Sequence, residues 1–436
     1  MQEKQNNTGL VWFRNDLRVL DNLVLQEAIK THKHVIACYC FDSRQYEISK
    51  FGFKKTDKYR ARFLIETVQN LKLNLKNLNI ELFVFKDTPE NSIQQLVEKF
   101  KIHSIYLQKE WTSEEVNVLN AVKKTISKEI SFYEFYNQFL YHPDDLDISL
   151  SEIPQIFTNF RKKVEKLISV KALIKPTSVE KIQNIENNSE LPTLENLGFE
   201  AFETHPKSAF PFKGGENNAI DRLDNYFFET KKLGVYKKTR NGLIGIDYSS
   251  KFSPWLANGS ISAKSIYWKI KEFEEEHFKN ESTYWLIFEL IWRDYFKYVS
   301  LKHENNIFKI GGILQKDYEW KSDHKLVQKW INGETTSSFV NANMLELKKT
   351  GWMSNRGRQN VASFFAKDML LDWRIGAAYF ESVLIDYDVH SNYGNWMYVA
   401  GVGNDPRDRK FNVNLQAQRY DTNGKFQNMW LQETLF

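Results

Sequence analysis

The stretch GLVWFRNDLRVLDN, residues 9–22, runs from an apolar strand pattern straight into two arginines, two aspartates and two asparagines, with no glycine after Gly9. A short, fully apolar run reads as a strand buried on both faces. Four more such runs follow: HVIACYCF (34–41), IELFVFK (80–86), SIYLQ (104–108) and ISFYEF (130–135). Amphipathic stretches such as NSIQQLVEKF (91–100) and SEEVNVLNAVKK (113–124) lie between them. Strands alternating with helices need crossover connections, and so a parallel sheet covered on both faces. Residues 1–140 are therefore expected to form a Rossmann-like or flavodoxin-like α/β domain. The first strand leads into FRNDLRVLDN and not GxGxxG, so backbone amides cannot approach a pyrophosphate there in the usual way. Any dinucleotide must bind elsewhere.

Beyond Tyr141 periodicity weakens. YHPDDLDISLSEIP, one helical piece NFRKKVEKLI, and a polar run to FPFKGGE have the composition of a connector, expected over 141–213. From there to residue 436 the pattern turns helical almost throughout, as in NNAIDRLDNYFFETKKL, SAKSIYWKIKEFEEEH, NRGRQNVASFFAKDML and WRIGAAYFESVLIDYD. The second domain, 214–436, is expected to be all-α.

Of the 436 residues, 42% are hydrophobic and 15% aromatic, and no stretch of about 18 uncharged apolar residues occurs, which describes a soluble chain and not a membrane one. The start MQEKQNNTGLVWF lacks an export pattern, so a cytoplasmic location is expected. Cys38 and Cys40 lie two apart on one strand face, without the spacing for zinc or redox work, and are read as packing residues. A net charge of +5 is only mildly basic, but its distribution is telling. YKKTRNG, SNRGRQN and DPRDRK set Lys238, Arg240, Arg356, Arg358, Arg407 and Arg409 beside aromatics and asparagines, as a phosphate-tracking surface with stacking platforms requires.

In STYWLIFELIWRDYF (282–296), Glu289, Trp292 and Arg293 project from one side of a helix that is apolar nearly all round. Unpaired buried charge is unfavourable, so that side should meet a cavity or ligand. In TGWMSNRGRQNVASFF (350–365), Gly351 and Ser354 read as the end of one helix and the cap of the next. Asn355 and Arg358 share a face there, while Arg356 points elsewhere. In IDYDVHSNYGNWMYVAG (385–401), Asp388, Asn392 and Trp396 recur every fourth residue, although Gly394 weakens a helix, and Asp386 needs a cation for which Arg358 is a candidate. His390 is the only nearby histidine and no HExxH, GKS/T, GxSxG or cysteine nucleophile occurs, so hydrolytic and metal chemistries are disfavoured and no metal is expected. The residues alone describe a buried polar site in an aromatic-rich helical domain, suited to a planar, hydrogen-bonding cofactor.

These segments, together with GGENNAIDRLDNYF (214–227) and YKKTRNGLIGIDYSSKFSPWLANGSIS (236–262), resemble the photolyase/cryptochrome family over essentially the whole chain. YSSKFSPWLA and GNDPRDR resemble its cryptochrome DASH branch. The resemblance implies FAD folded into a U in the helical domain. Tyr236 and Ser249, Ser250, Lys251, Phe252 and Ser253 would hold its phosphates. Glu289 and Arg293 would lie between flavin and substrate, and Asn355, Arg358, Asp386 and Asp388 would surround the isoalloxazine and ribose. Asn392 would face flavin N5, and Trp396, Trp373 and Trp320 would form an electron chain to the surface.

The family activity so implied is blue-light-driven repair of cyclobutane pyrimidine dimers, for this branch preferentially in single-stranded DNA, by a monomer. Glu289 would share a proton with the dimer, and Trp292, Tyr398, Arg356 and Arg407 would contact the strand. A folate antenna, 5,10-methenyltetrahydrofolate, would sit in the α/β domain with Glu110 as a contact. The alternative is a blue-light photoreceptor or nucleic-acid-binding regulator without repair turnover. Tyr398 stands where duplex-repairing relatives carry tryptophan. One segment departs from the family pattern: GETTSSFVNANMLEL (333–347) has Thr336, Ser338, Asn341 and Leu345 in place of a glycine, a proline, an aspartate and an arginine. Loss of the glycine and proline is expected to loosen that turn.

Overall fold

The computed structural model describes residues 4–183 and 185–432; residues 1–3, 184 and 433–436, which fall within the expected domain and connector limits, lie outside the described residues. Strands β1 (Gln5–Trp12), β2 (His32–Cys40), β3 (Glu81–Phe85), β4 (Ser104–Gln108) and β5 (Ser131–Phe135) form one parallel sheet in the order β3-β2-β1-β4-β5. Helices α1 (Leu23–Thr31), α2 (Lys58–Lys76), α3 (Pro89–Phe100) and α4 (Ser113–Thr125) make the crossovers. Alternation along each strand feeds two cores. Leu10, Trp12, Ile36 and Cys38 pack on one face, and Val11, Ala37 and Tyr39 on the other. The chain passes from β3 at one edge to β4 beyond β1, so a crevice opens outside the carboxyl ends of β1 and β4.

FRNDLRVLDN joins the two domains. The buried Arg18 guanidinium donates to the carbonyls of Asp21, Asn137 and Gly259, and Glu216 accepts from the backbone amides of Val19 and Leu20 at 3.0 and 2.8 Å. Gly259 has φ +73, and a Cβ there would lie 2.0 Å from the Asn15 carbonyl oxygen, so only glycine permits this approach of the two backbones. Asn22 then caps α1 through the Leu25 amide. The charges that replace the glycine-rich turn thus serve the domain junction.

The segment from residue 141 contributes one helix, Phe157–Leu167, and then an extended run bonded along the α/β domain, with the Val179 amide on the Leu78 carbonyl and the Asn187 side chain on the Leu82 carbonyl. The helical domain is built around the 23-residue helix Glu281–His303, which begins at Asn280 with a capping box and packs against Val389–Ala400. Two expected long helices widen into π-turns, Asn225–Glu229 and Phe364–Asp368. The first falls on consecutive aromatics, and the wider turn lets Tyr226 and Phe227 both reach the core. Val389–Ala400 runs unbroken through Gly394, where the Phe296 ring occupies the space a Cβ would need. No helix among the described residues is long and apolar enough to cross a membrane.

Candidate functional site

Two cavities meet inside the helical domain. One, of about 250 Å³, is lined by Tyr236, Arg240, residues 249–253, Glu289, Arg293 and Trp352. The other, of about 90 Å³, is lined by Gln359, Phe380, Asn392, Asn395 and Trp396. Asn355, Arg358, Asp386, Asp388 and Ser391 border both, so the two are lobes of one bent space.

The polar floor follows from how its helices begin. Gly351, in the left-handed conformation, ends Ser338–Thr350, and Ser354 caps Asn355–Ser363 through the Gly357 amide. That register turns Arg358 inward, where Nη2 donates to Asp386 Oδ2 at 2.9 Å and Nε to the Met353 carbonyl. Arg356 faces away, as its position predicts: it donates to Asn241 and Gln359 and lies over the Tyr420 ring. Asp388 caps Val389–Ala400 through the Ser391 amide and pairs with buried Lys297 at 2.9 Å. Burial works against the Asp388 charge, but Lys297, His390 and Arg293 outweigh it and hold the carboxyl below its usual range. Arg293 borders this cavity and the interdomain crevice, donating to the Gln138 and Leu256 carbonyls.

Three residues lining the cavity carry a buried polar side-chain atom with no hydrogen-bond partner: Asp386 at Oδ1, Lys251 at Nζ and Trp396 at Nε1. Lys251 adopts φ +66, and its ammonium lies 3.2 Å from the Tyr248 ring centroid. Burial pushes its pKa down. Buried polar groups left without a partner point to a ligand that supplies one. A phosphate-bearing, hydrogen-bonding group such as FAD fits this donor and acceptor set. Among the described residues no group of three or more His, Cys, Asp or Glu could hold a metal ion.

In the smaller lobe Asn392 Nδ2 donates to the Ala377 carbonyl, and the buried Trp396 indole packs on Gly376 and Phe380. Trp373 lies one turn before Gly376 and donates to the Ile310 carbonyl. Trp320 precedes Lys321, whose backbone bonds to Leu370 and Asp372 at the start of that same helix. On the helix that carries Glu289 and Arg293, but outside the lining of either lobe, Trp292 stacks face to face on Phe157, with ring centroids 3.7 Å apart, and meets Tyr398 edge-on at 6.0 Å. The Tyr398 hydroxyl accepts from Arg409, and Arg407 and Lys238 are exposed. Glu110 stands apart in the interdomain crevice, buried and accepting from Gln108 Nε2 at 2.8 Å.

Two residues that the sequence reading did not single out, and a third that it placed elsewhere, complete the arrangement. Buried Arg222 straps residues 246–250 from behind, donating to three of their carbonyls and to Asp247. Lys297 holds Asp388; its spacing of four after Arg293 and eight after Glu289 puts all three on one helix face, a signal present in the sequence. Arg240, read only as surface charge, donates to Glu289 Oε1.

Residues 9–180 match the DNA photolyase family model, and residues 285–435 match the model of the FAD binding domain of DNA photolyase. Cryptochrome DASH of Gloeobacter violaceus is 44% identical over 98% of this chain and 86% of its own length. Cryptochrome DASH of Xenopus laevis is 45% identical over 96% of this chain and 82% of its own. The crystal structure of a Synechocystis cryptochrome superposes with a TM-score of 0.94 at 43% identity, covering 99% of this chain and 90% of that one.

Proposed function

The chain belongs to the photolyase/cryptochrome family, in its cryptochrome DASH branch, and we propose that it is a light-driven enzyme that splits cyclobutane pyrimidine dimers, preferentially in single-stranded DNA. The observation that carries this reading is the bent cavity itself: it holds unpartnered Asp386 Oδ1 and Lys251 Nζ and has Glu289 among its lining residues.

FAD bound there would supply, under blue light, the electron that opens the dimer and is afterwards returned. Tyr236 and residues 249–253 would hold its phosphates, with Arg222 stiffening that loop from behind. Arg358, paired with Asp386, and Asn355, Asp388 and Arg293 would hold the isoalloxazine and ribose. Asn392 offers an amide that hydrogen-bonds without titrating, so it steadies the cofactor without acting as an acid. Trp396, Trp373 and Trp320 would pass electrons inward from the surface. Glu289 would share a proton with the dimer, Trp292 and Tyr398 would flank it, and Arg356 and Arg407 would hold the flanking phosphates. The crevice at the carboxyl ends of β1 and β4, where Glu110 lies, would take a folate antenna; its aromatic lining of Tyr39, Phe41, Tyr46 and Tyr387 supports this. The protein would act as a cytoplasmic monomer.

A second reading, a blue-light receptor or nucleic-acid-binding regulator without turnover, draws on one observation: one face of Trp292 is covered by Phe157 and Tyr398 meets the ring edge-on. One assay separates the two. A thymine-dimer oligonucleotide is illuminated with the reduced protein; restored absorbance in the thymine band supports the enzyme, and none despite bound reduced FAD supports the receptor.

A further inference from the structure

Arg240 follows the short helix Tyr236–Thr239 and donates to Glu289 Oε1 across the larger lobe. The pair is reachable from outside, its side chains 20% and 27% exposed. The Arg240 guanidinium lies 5.6 Å from the Trp285 ring centroid, and Lys237 Nζ lies over the same ring at 4.5 Å. An arginine in the phosphate-tracking strip thus holds the carboxylate assigned to the substrate base.

We propose that Arg240 is a positioning residue that keeps Glu289 anionic in the free protein and releases it to a backbone phosphate of the bound strand, so that Glu289 takes up a proton as substrate binds. This rests on the repair reading of the same site. A guanidinium binds phosphate as readily as carboxylate, through the same fork of donors, so an incoming phosphodiester competes directly for Arg240. The carboxylate left behind shares the lining of the lobe with Leu286 and Leu290 and has lost its ion-pair partner. Burial raises its pKa, and the Arg240 charge opposes that rise more strongly than the neighbouring Trp285 indole does. The other ionisable groups near the pair do not replace it. Arg293, one turn along the helix, is engaged with the Gln138 and Leu256 carbonyls; Tyr236 carries only a neutral hydroxyl; Arg356 is bonded to Asn241 and Gln359. The proton comes from solvent, is held on the carboxyl as an O–H donor toward a pyrimidine carbonyl, and returns to solvent on product release.

The test measures binding, in the dark, of a single-stranded oligonucleotide carrying one thymine dimer to the flavin-loaded protein, by calorimetry in buffers of different ionisation enthalpy near neutral pH. About one proton is expected to be taken up per dimer bound. Glu289→Gln should abolish the uptake. Arg240→Gln should abolish it too, because the carboxyl is already protonated before binding; the infrared band of a protonated carboxyl should then appear in the free variant and vanish in Arg240→Gln/Glu289→Gln. Arg240→Lys should restore the wild-type behaviour. Binding without proton uptake, uptake that persists in Glu289→Gln, or unchanged uptake in Arg240→Gln each overturns the inference alone. An oligonucleotide that does not bind overturns the repair reading and this inference with it.

Discussion

Arg358 and Asp386, 28 residues apart in sequence, meet at 2.9 Å on the floor that the two lobes of the cavity share. One Asp386 oxygen accepts the guanidinium and the other has no protein partner. The aspartate therefore anchors the arginine while keeping an acceptor free for a ligand. Asp386→Asn leaves Arg358 beside the cavity without its counter-charge. Breaking such a pair amounts to about 3 kcal/mol, the low end for buried pairs, because the Arg358 side chain remains 23% exposed. FAD occupancy after extensive dialysis should fall well below wild type; undiminished occupancy would remove the pair from the cofactor's support.

Trp396→Phe should slow blue-light photoreduction in the presence of an external thiol severely, with FAD still bound. The substitution keeps an aromatic ring against Gly376 and Phe380. It also forfeits no hydrogen bond, since Trp396 Nε1 has no partner. Only the electron donor is removed. Photoreduction at the wild-type rate would show that the chain does not start at Trp396.

Much of this site was legible in the sequence, and the part that was not has a physical reason. Gly351, Ser354 and Asp388 act through bonds to residues three or four positions away, so local spacing announced them. The parallel sheet was legible because strands buried on both faces leave unbroken apolar runs. Arg222 and Phe157 work across about 25 and 135 residues respectively, on loop 246–250 and on Trp292, and no local pattern encodes such contacts. Residues 333–347 show a local inference overturned. The expected loosening does not occur, because Asn341 Oδ1 accepts from Thr335 N and Oγ1 while its Nδ2 donates back to the Thr335 carbonyl, and Ser337 caps the following helix. The asparagine that replaces the family's aspartate is what makes the reciprocal donation possible.

Glu381 gives a pH dependence of stability. Burial raises its carboxyl from 4.5 to about 7, against the opposing charge of Arg60. The folded protein therefore keeps a proton that the unfolded chain releases at its ordinary pKa. The stability associated with that proton is complete below about pH 4.5, falls as pH rises, and is gone above about pH 7. Glu381→Gln cannot ionise, so its stability should decline less between pH 5 and 7.5 than wild type does, by on the order of 2 kcal/mol. Thermal melts of both proteins at those two pH values check this; parallel declines would place the titration on another group.

The last prediction is that dimer repair in single-stranded DNA greatly exceeds repair in duplex. Extracting a dinucleotide from a duplex costs a few kcal/mol in lost pairing and stacking, which contacts in the pocket must offset. Each base stacked on an aromatic ring contributes about 1–3 kcal/mol. Here Trp292 has one face on Phe157, and Tyr398 meets it edge-on with its hydroxyl bonded to Arg409, so the clamp is one broad ring and one small one. Leu345, buried against the Gly333 turn, adds no cation to the clamp. In a single strand the extraction term is largely absent and this weak clamp suffices. The comparison uses one dimer-bearing oligonucleotide, alone and annealed to its complement, at matched salt because phosphate binding weakens as salt rises. Equal repair rates would refute the clamp argument. Tyr398→Trp enlarges the small ring while Arg409 stays paired with Asp405, so the variant should gain duplex repair through the wider stacking surface while its single-strand rate changes little.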